Sequence, residues 1–285
     1  MKKTTSKKQQ VKKRQEEPTK TLVKTESKTL SKEQVNAESD AGMGQEEMKR
    51  DDYAIPRLTI LQDLSPQVKK TEDGYIKGAE AGMICDVLSE KLFAGDNGIA
   101  VIPVSYRRAH IEWKARKSGG GFVKDHGSDP AILSQVQRDP DSGALTFQNG
   151  NTLSIVGEYF VFLLDKEGGF SPYVLSMTGS QQKKSRRWNT MINQLRVPAR
   201  EGGGTFNPAM FYMTYRLSTV PERNDQGSWF GWKIQPETPT LELPNGDQVY
   251  VAAREFRNQI NKGDVKVAAP AQGHDPAGED DSKPM

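Results

Sequence analysis

Cationic and aromatic side chains alternate in several stretches of this chain, and their pairing suggests a definite chemistry. Single-stranded nucleic acid is held by cations that follow its phosphates and by rings on which its bases stack. The first group comprises Tyr106, Arg107, Arg108, Trp113, Lys114, Arg116 and Lys117. Later groups comprise Lys183, Lys184, Arg186, Arg187 and Trp188, then Tyr215 with Arg216, and Trp229 with Lys233. The pattern predicts a surface that binds a nucleic-acid strand.

The most basic of these groups lies in a predicted helix between residues 178 and 197. Its apolar residues Trp188, Met191, Ile192 and Leu195 follow the spacing i, i+3, i+4 and i+7, and Ser180 is the expected N-cap. Four cations occupy its first half, where the helix dipole already favours anions, so helix stability does not explain them. They either face a negatively charged partner or form an ordinary solvated surface.

Strand alternation assigns sides to some of the aromatic residues. Around position 231, Phe230, Trp232 and Ile234 share one face and are expected in the core, which leaves Trp229 and Lys233 pointing outward. Trp229 is therefore the best stacking candidate. Trp188 belongs to the apolar stripe of the helix and is expected to pack in the core, whereas Tyr215 and Trp113 fit either environment.

Catalytic chemistry has little support in this sequence. His110 and Glu112 share one strand face, and Asp125 and His126 follow in a loop, so an acid/base pair or a metal site can be drawn there. Zinc-ligand spacing and a nucleophile elbow are lacking, and the glycine runs have no Lys-Ser/Thr ending for a phosphate loop. We therefore expect a non-catalytic protein without a metal or another cofactor.

Composition predicts a soluble intracellular protein of the cytoplasm. Cys85 is the single cysteine, and no apolar run reaches the ~18 residues of a membrane span. Residues 1–35 hold eleven Lys or Arg against four Glu, residues 51–262 are almost neutral, and residues 263–285 hold five acids against two Lys. We expect a disordered basic arm (1–50), one folded domain (51–262) and a disordered acidic tail (263–285).

The predicted elements of the domain are mainly β with one or two helices. Strands are expected at 99–115 (bent or bulged near Pro103), 153–164, 172–177, 210–220 and 229–235, with a second helix at 249–260 and a long loop at 118–150. The order of three strands, a helix and two strands is that of an OB-fold, a five-stranded, partly open barrel that binds oligonucleotides. Another small β-barrel fits almost as well.

Three stretches resemble known proteins. The runs IPRLTILQDLSPQVKK, VIPVSYRRAHIEWKARKSGGGF and SMTGSQQKKSRRWNTMI are similar to a group of tailed-bacteriophage proteins described as single-stranded DNA-binding proteins with an OB-type core. The resemblance covers residues 53–235. The acidic end is a separate parallel, since phage and bacterial single-stranded DNA-binding proteins commonly finish in an acidic tail that recruits replication partners. This chain ends Lys-Pro-Met, without the usual terminal aromatic residue.

Taken together, the residues and the resemblance lead us to expect a protein that coats single-stranded DNA during phage replication or recombination. Its partners would be single-stranded DNA and, through the acidic tail, replication or recombination proteins, with no membrane contact. Two alternatives remain at this stage. One is a phage structural or assembly protein; the other is a nucleic-acid enzyme or accessory subunit that uses His110, Glu112 or His126 with a metal.

Overall fold

The computed structural model describes residues 40, 42–48, 52, 54–115, 118–140, 142–200, 202–225, 227–265 and 267–268. The chain divides into two compact units, residues 1–47 and 48–285. In the first unit the described residues lie mainly in turns, and the fold reported below belongs to the second. Most of the predicted arm and tail lies outside the described residues.

The second unit is mainly β, as predicted. Eleven strands of the described residues share one sheet: β1 (Arg57–Ile60), β2 (Ile84–Asp86), β3 (Lys91–Phe93), β4 (Ile99–Trp113), β5 (Phe122–Asp125), β6 (Val136–Arg138), β7 (Leu145–Phe147), β8 (Thr152–Leu164), β9 (Phe170–Met177), β12 (Met213–Asn224) and β13 (Gly227–Pro239). Two short strands, β10 (Val197–Pro198) and β11 (Thr205–Phe206), pair separately as a hairpin.

Strand order along the main path is β13-β12-β4-β8-β9-β1-β2-β3, with β5 beside β4 and β7 between β6 and β8. The sheet curls until its β13 edge approaches the segment that follows β1. Gln62, just beyond β1, uses its side-chain amide to pair with both backbone polar groups of Phe230 in β13, at 2.9 and 2.8 Å. A side chain thus supplies the bonds that a neighbouring strand would make at this edge.

Alternating residues of the long strands divide the core into two layers. In β8, Tyr159 and Val161 belong to the cluster inside the curl, whereas Phe160 and Phe162 belong to the cluster on the opposite face. Helix α1 (Gln182–Gln194) contributes Trp188 to the inner cluster. Helix α2 (Gly246–Lys262) covers the outer one with its apolar stripe, as its spacing predicted.

Several predicted elements are confirmed. Strand β4 is long, and its register shifts between Pro103 and Ser105, where the sequence predicted a bend or bulge. The hairpin from β8 to β9 forms around the paired glycines. The irregularity in β4 could be predicted from the sequence because Pro103 has no N–H to donate to the neighbouring strand.

Other predictions need correction. A five-stranded OB barrel is not confirmed, because the sheet contains six further strands beside the five on which that prediction rested. The predicted loop at 118–150 contains β5, β6 and β7, and the residues between the predicted strands at 210–220 and 229–235 lie mostly within β12 and β13. The N-cap of α1 is Gln181 rather than Ser180, since a 3-10 turn at 179–181 precedes the helix.

Candidate nucleic-acid interface

Helix α1 is fixed to the sheet by a buried aromatic pair. The Trp188 ring stacks on that of Tyr159 in β8 with 4.4 Å between centroids, and both side chains are fully buried. The Tyr159 hydroxyl lies 2.8–2.9 Å from the backbone and side-chain oxygens of Ser185 and from Oδ1 of Asn189. Burial raises the pKa of Tyr159, so the hydroxyl keeps its proton. The prediction that Trp188 packs in the core is confirmed.

A Gly lets α1 approach the sheet closely. A Cβ on Gly157 of β8 would lie 2.5 Å from the Ser185 hydroxyl oxygen and 3.4 Å from the Tyr106 ring. The helix therefore runs directly over Gly157, with Tyr106 of β4 beside it. Tyr106 is 38% exposed, and its ring lies 4.9 Å from that of Tyr159.

The outward side of α1 is positively charged. Lys183, Arg186 and Arg187 are exposed, and the helix contains no acidic residue. The guanidinium groups of Arg186 and Arg187 make no ion pair or hydrogen bond with other described residues. Because these cations lie near the positive end of the helix dipole, nothing on the helix itself offsets their charge.

Lys184 differs from the other cations of α1, since it is half-buried and paired. Its ammonium lies 2.5 Å from Oε1 of Glu222 in β12. The other carboxylate oxygen of Glu222 accepts a 3.0 Å hydrogen bond from the indole Nε1 of Trp229 in β13. Gly231 leaves room for this link, because a Cβ there would lie 2.5 Å from the carboxylate.

Trp229 is the half-buried member of the four tryptophans. Trp113, Trp188 and Trp232 are 4%, 0% and 3% exposed. Phe230, Trp232 and Ile234 pack with the inner cluster, and Lys233 is exposed, as the alternation predicted. The bonds of Glu222 to both Trp229 and Lys184 place Trp229 on the side of α1 that faces β13. Tyr106 lies on the side that faces β4.

Two predicted stacking residues are buried, and that part of the prediction needs correction. Trp113 packs with Ala109 and Ile111 and meets Phe122 edge-on at 6.2 Å. Tyr215 is 2% exposed, and burial raises its pKa to about 12. Neither ring is open to a base, because aromatic side chains in strands serve cores as readily as surfaces.

Arg107 is also held in ion pairs within the protein. Its guanidinium bonds Glu158 at 2.5 Å and Asp125 at 2.6 Å, and Arg57 from β1 reaches the same Glu158 at 2.8 Å. Burial lowers the pKa of Arg107, but the charges of Glu158 and Asp125 outweigh it and raise the value. Two arginines and two acids make a neutral network on the sheet face opposite α1.

The remaining predicted residues are distributed more widely. Arg108 is exposed and lies opposite Gly157 in the ladder, on the same face as Tyr106 and α1. Lys114 is exposed after β4, and Arg216 pairs with Glu237 at 2.8 Å. Arg116 and Lys117 lie outside the described residues. Sequence reasoning missed Glu222 and Gly231, because a carboxylate and a glycine carry no binding signal of their own.

The histidines and acids near β4 form a small polar cluster. His126 Nε2 lies 2.8 Å from Oε2 of Glu112, and Asn151 donates to Oε1 at 2.5 Å. Burial acts to raise the pKa of Glu112, but the hydrogen bonds from Asn151 and His126 outweigh it, so the pKa is lowered. His110 is buried against the Gly127 carbonyl oxygen at 3.0 Å. Among the described residues no group of three or more potential ligands could hold a metal ion.

Comparison with known proteins identifies a phage family. None of the helices in the described ranges is long and apolar enough to cross a membrane. Searches of curated proteins and of solved structures return no match. Residues 7–266 match the family described as Pam3 phage gp34-like protein. Because this match covers most of the 285-residue chain, the protein belongs to the Pam3 phage gp34-like family of bacteriophage proteins.

Proposed function

We propose that this protein binds single-stranded DNA, without catalysis, during phage replication or recombination. The observation that carries the proposal is the exposed basic side of α1 with a partly open ring on each flank, Tyr106 and Trp229. Cations that attract phosphates and rings that stack bases are the two requirements for binding a single strand. Arg108, beside Tyr106, adds a further exposed cation to this surface.

The strand order adds weaker support. Strands β4, β8, β9, β12 and β13 with α1 between β9 and β12 follow the OB sequence of elements, and we propose that β1 is inserted where an OB barrel would close. OB-folds bind oligonucleotides on a strand face and with adjoining loops. In this chain the loop after β4 includes Lys114, Arg116 and Lys117.

Two further parts of the proposal concern the ends of the chain. The basic arm, residues 1–50, would add long-range attraction for DNA, and the acidic tail would recruit replication or recombination proteins. Both segments fall mainly outside the described residues, and their charge is what supports these roles. Deleting the basic arm should slow association with DNA, and deleting the acidic tail should weaken partner binding. In both cases the core should still bind DNA.

The test is a charge reversal on α1 with a matched control on α2. Full-length protein carrying Arg186→Glu and Arg187→Glu is titrated with fluorescently labelled oligo-dT and compared with Arg254→Glu and Arg257→Glu. Both control arginines are exposed on a helix, but on the other side of the sheet. We expect weaker binding from the α1 variant only, and stronger binding to oligo-dT than to duplex of equal length. Equal effects of the two pairs would contradict the proposed location.

Tryptophan fluorescence supplies an independent readout. Three of the four tryptophans are buried, so quenching on addition of oligo-dT should come from Trp229 and disappear in Trp229→Phe. Phe keeps a stacking ring, so this variant should still bind. A folded wild-type protein that binds neither DNA form would refute the proposal. Stable oligomers or incorporation into virions would then favour a structural or assembly protein.

A further inference from the structure

The segment from α1 to the first arm of the β10–β11 hairpin carries only positive charges, and Glu201 follows it in the sequence. From Gly168 to Arg200 the sequence contains six cations and no acidic residue: Lys183, Lys184, Arg186, Arg187, Arg196 and Arg200. This contrasts with the domain as a whole, which is almost neutral. A continuous single-sign stretch on adjacent elements is complementary to a polyanion.

The hairpin is fastened to the end of α1. Asn207, just after β11, donates its side-chain amide to the carbonyl oxygens of Ile192, Asn193 and Leu195 at 3.1, 3.0 and 3.0 Å. Arg196 donates to two of the same carbonyls. These contacts satisfy three carbonyl groups at the C-terminal end of the helix and its cap, and they hold the hairpin beside it.

The hairpin carries the most exposed aromatic ring in the described part of the chain. Phe206 is 50% exposed and lies opposite Val197 in the two-residue ladder. Arg200 is exposed shortly after β10, and beyond Glu201 the glycines Gly202, Gly203 and Gly204 have φ values of 80°, 70° and 90°. Glycines in this region need no side-chain clearance, so the backbone at the tip can approach a partner closely.

We infer that the β10–β11 hairpin is a second contact site for the strand bound along α1, in which Phe206 stacks on a base and Arg200 meets a phosphate. About 10 Å of helix, from Arg187 to Gln194, separates the cations of α1 from the hairpin at 1.5 Å per residue. A single strand lying on the cations of α1 can therefore reach Phe206 within about 10 Å of the end of that basic surface. The inference rests on the proposed function and assigns part of its binding site.

The experiment compares Phe206→Ala with Phe122→Ala in the full-length protein. Phe122 is another exposed ring, with 36% of its surface accessible. It lies in β5, which pairs with one edge of β4, whereas β8, the strand beneath α1, pairs with the other edge. Each variant is titrated with labelled oligo-dT and with an abasic oligomer of equal length. Loss of one stacked base should weaken oligo-dT binding by Phe206→Ala about 5- to 150-fold. The Phe206→Ala variant should bind the abasic oligomer as tightly as wild type does. The Phe122→Ala variant should bind both oligomers like wild type.

Controls separate stacking from folding and from the proposed function itself. Phe206→Tyr keeps a ring and should bind as wild type, and thermal unfolding checks that each variant is folded. If Phe206→Ala binds oligo-dT like wild type while Arg186→Glu with Arg187→Glu does not, the hairpin inference fails and the proposed function stands. Equal weakening for the abasic oligomer would also overturn it. If wild type binds no DNA, both fail, and oligomer loss in Phe206→Ala would assign the hairpin to contacts between copies.

Discussion

Gly157 shows how one residue positions the basic helix. Its missing side chain lets Ser185 approach β8, since a Cβ would lie 2.5 Å from the Ser185 hydroxyl oxygen. Gly157→Ala should therefore destabilise the protein by about 1–3 kcal/mol through overpacking. Urea unfolding measures this loss. Adding Ser185→Ala removes the closest atom, so the double variant should recover part of it, whereas a fully additive result would contradict the proposed clash.

Glu112 predicts a pH dependence at the residue scale. Hydrogen bonds from Asn151 and His126 lower its pKa below the ordinary value of 4.5, against the opposing effect of burial. A carboxyl with a lowered folded-state pKa stabilises the protein above its unfolded pKa and loses this contribution as pH falls through the folded value. Wild type should therefore lose stability below about pH 4.5. In Glu112→Gln this acid-induced loss should be smaller, as followed by thermal unfolding from pH 7 to pH 3.

Residue identity alone explains part of the site but not its contacts. The outward positions of Trp229 and Lys233 followed from period-two alternation, and the burial of Trp188 from helical spacing. The link from Trp229 through Glu222 to Lys184 joins three elements far apart in sequence. No local pattern encodes such a link, because it depends on how β12, β13 and α1 meet.

At the scale of elements, the edge of β13 is protected by side chains. Gln62 bonds both backbone groups of Phe230, and Gln181 accepts from the backbone N–H of Trp232 at 2.9 Å. An uncovered strand edge is a template for pairing with another chain. Gln62→Ala should cost about 1–2 kcal/mol for two lost hydrogen bonds and increase aggregation.

The measurement for Gln62→Ala is urea unfolding together with light scattering at rising concentration. Gln235→Ala is the matched control, since Gln235 is exposed on the same strand. We expect the control to unfold and scatter light like wild type. A Gln62→Ala protein of wild-type stability would mean that the two amide contacts contribute nothing to the edge.

Elements with regular apolar patterns were predicted well, and those with irregular ones were not. Strands β4, β8 and β9 and both helices carry long runs of alternating or helically spaced apolar residues. Strands β5, β6 and β7 are three or four residues long within a polar stretch, too short to produce a recognisable period. Their pairing to β4, to β8 and to one another is a tertiary effect, and with β1, β2 and β3 it makes the sheet larger than five strands.

For the whole molecule, the proposed function predicts a salt dependence that counts the contacts made by α1. Each phosphate neutralised on a single strand contributes about 0.7 to the slope of log K against log salt concentration. Arg186→Ala with Arg187→Ala should reduce the magnitude of that slope by up to about 1.4, measured by oligo-dT titration between about 50 and 200 mM salt. Arg254→Ala with Arg257→Ala changes net charge equally but lies on α2, so its slope should match wild type. Equal reductions in both variants would show that binding responds to net charge rather than to the cations of α1. A general electrostatic attraction does not distinguish one side of the sheet from the other.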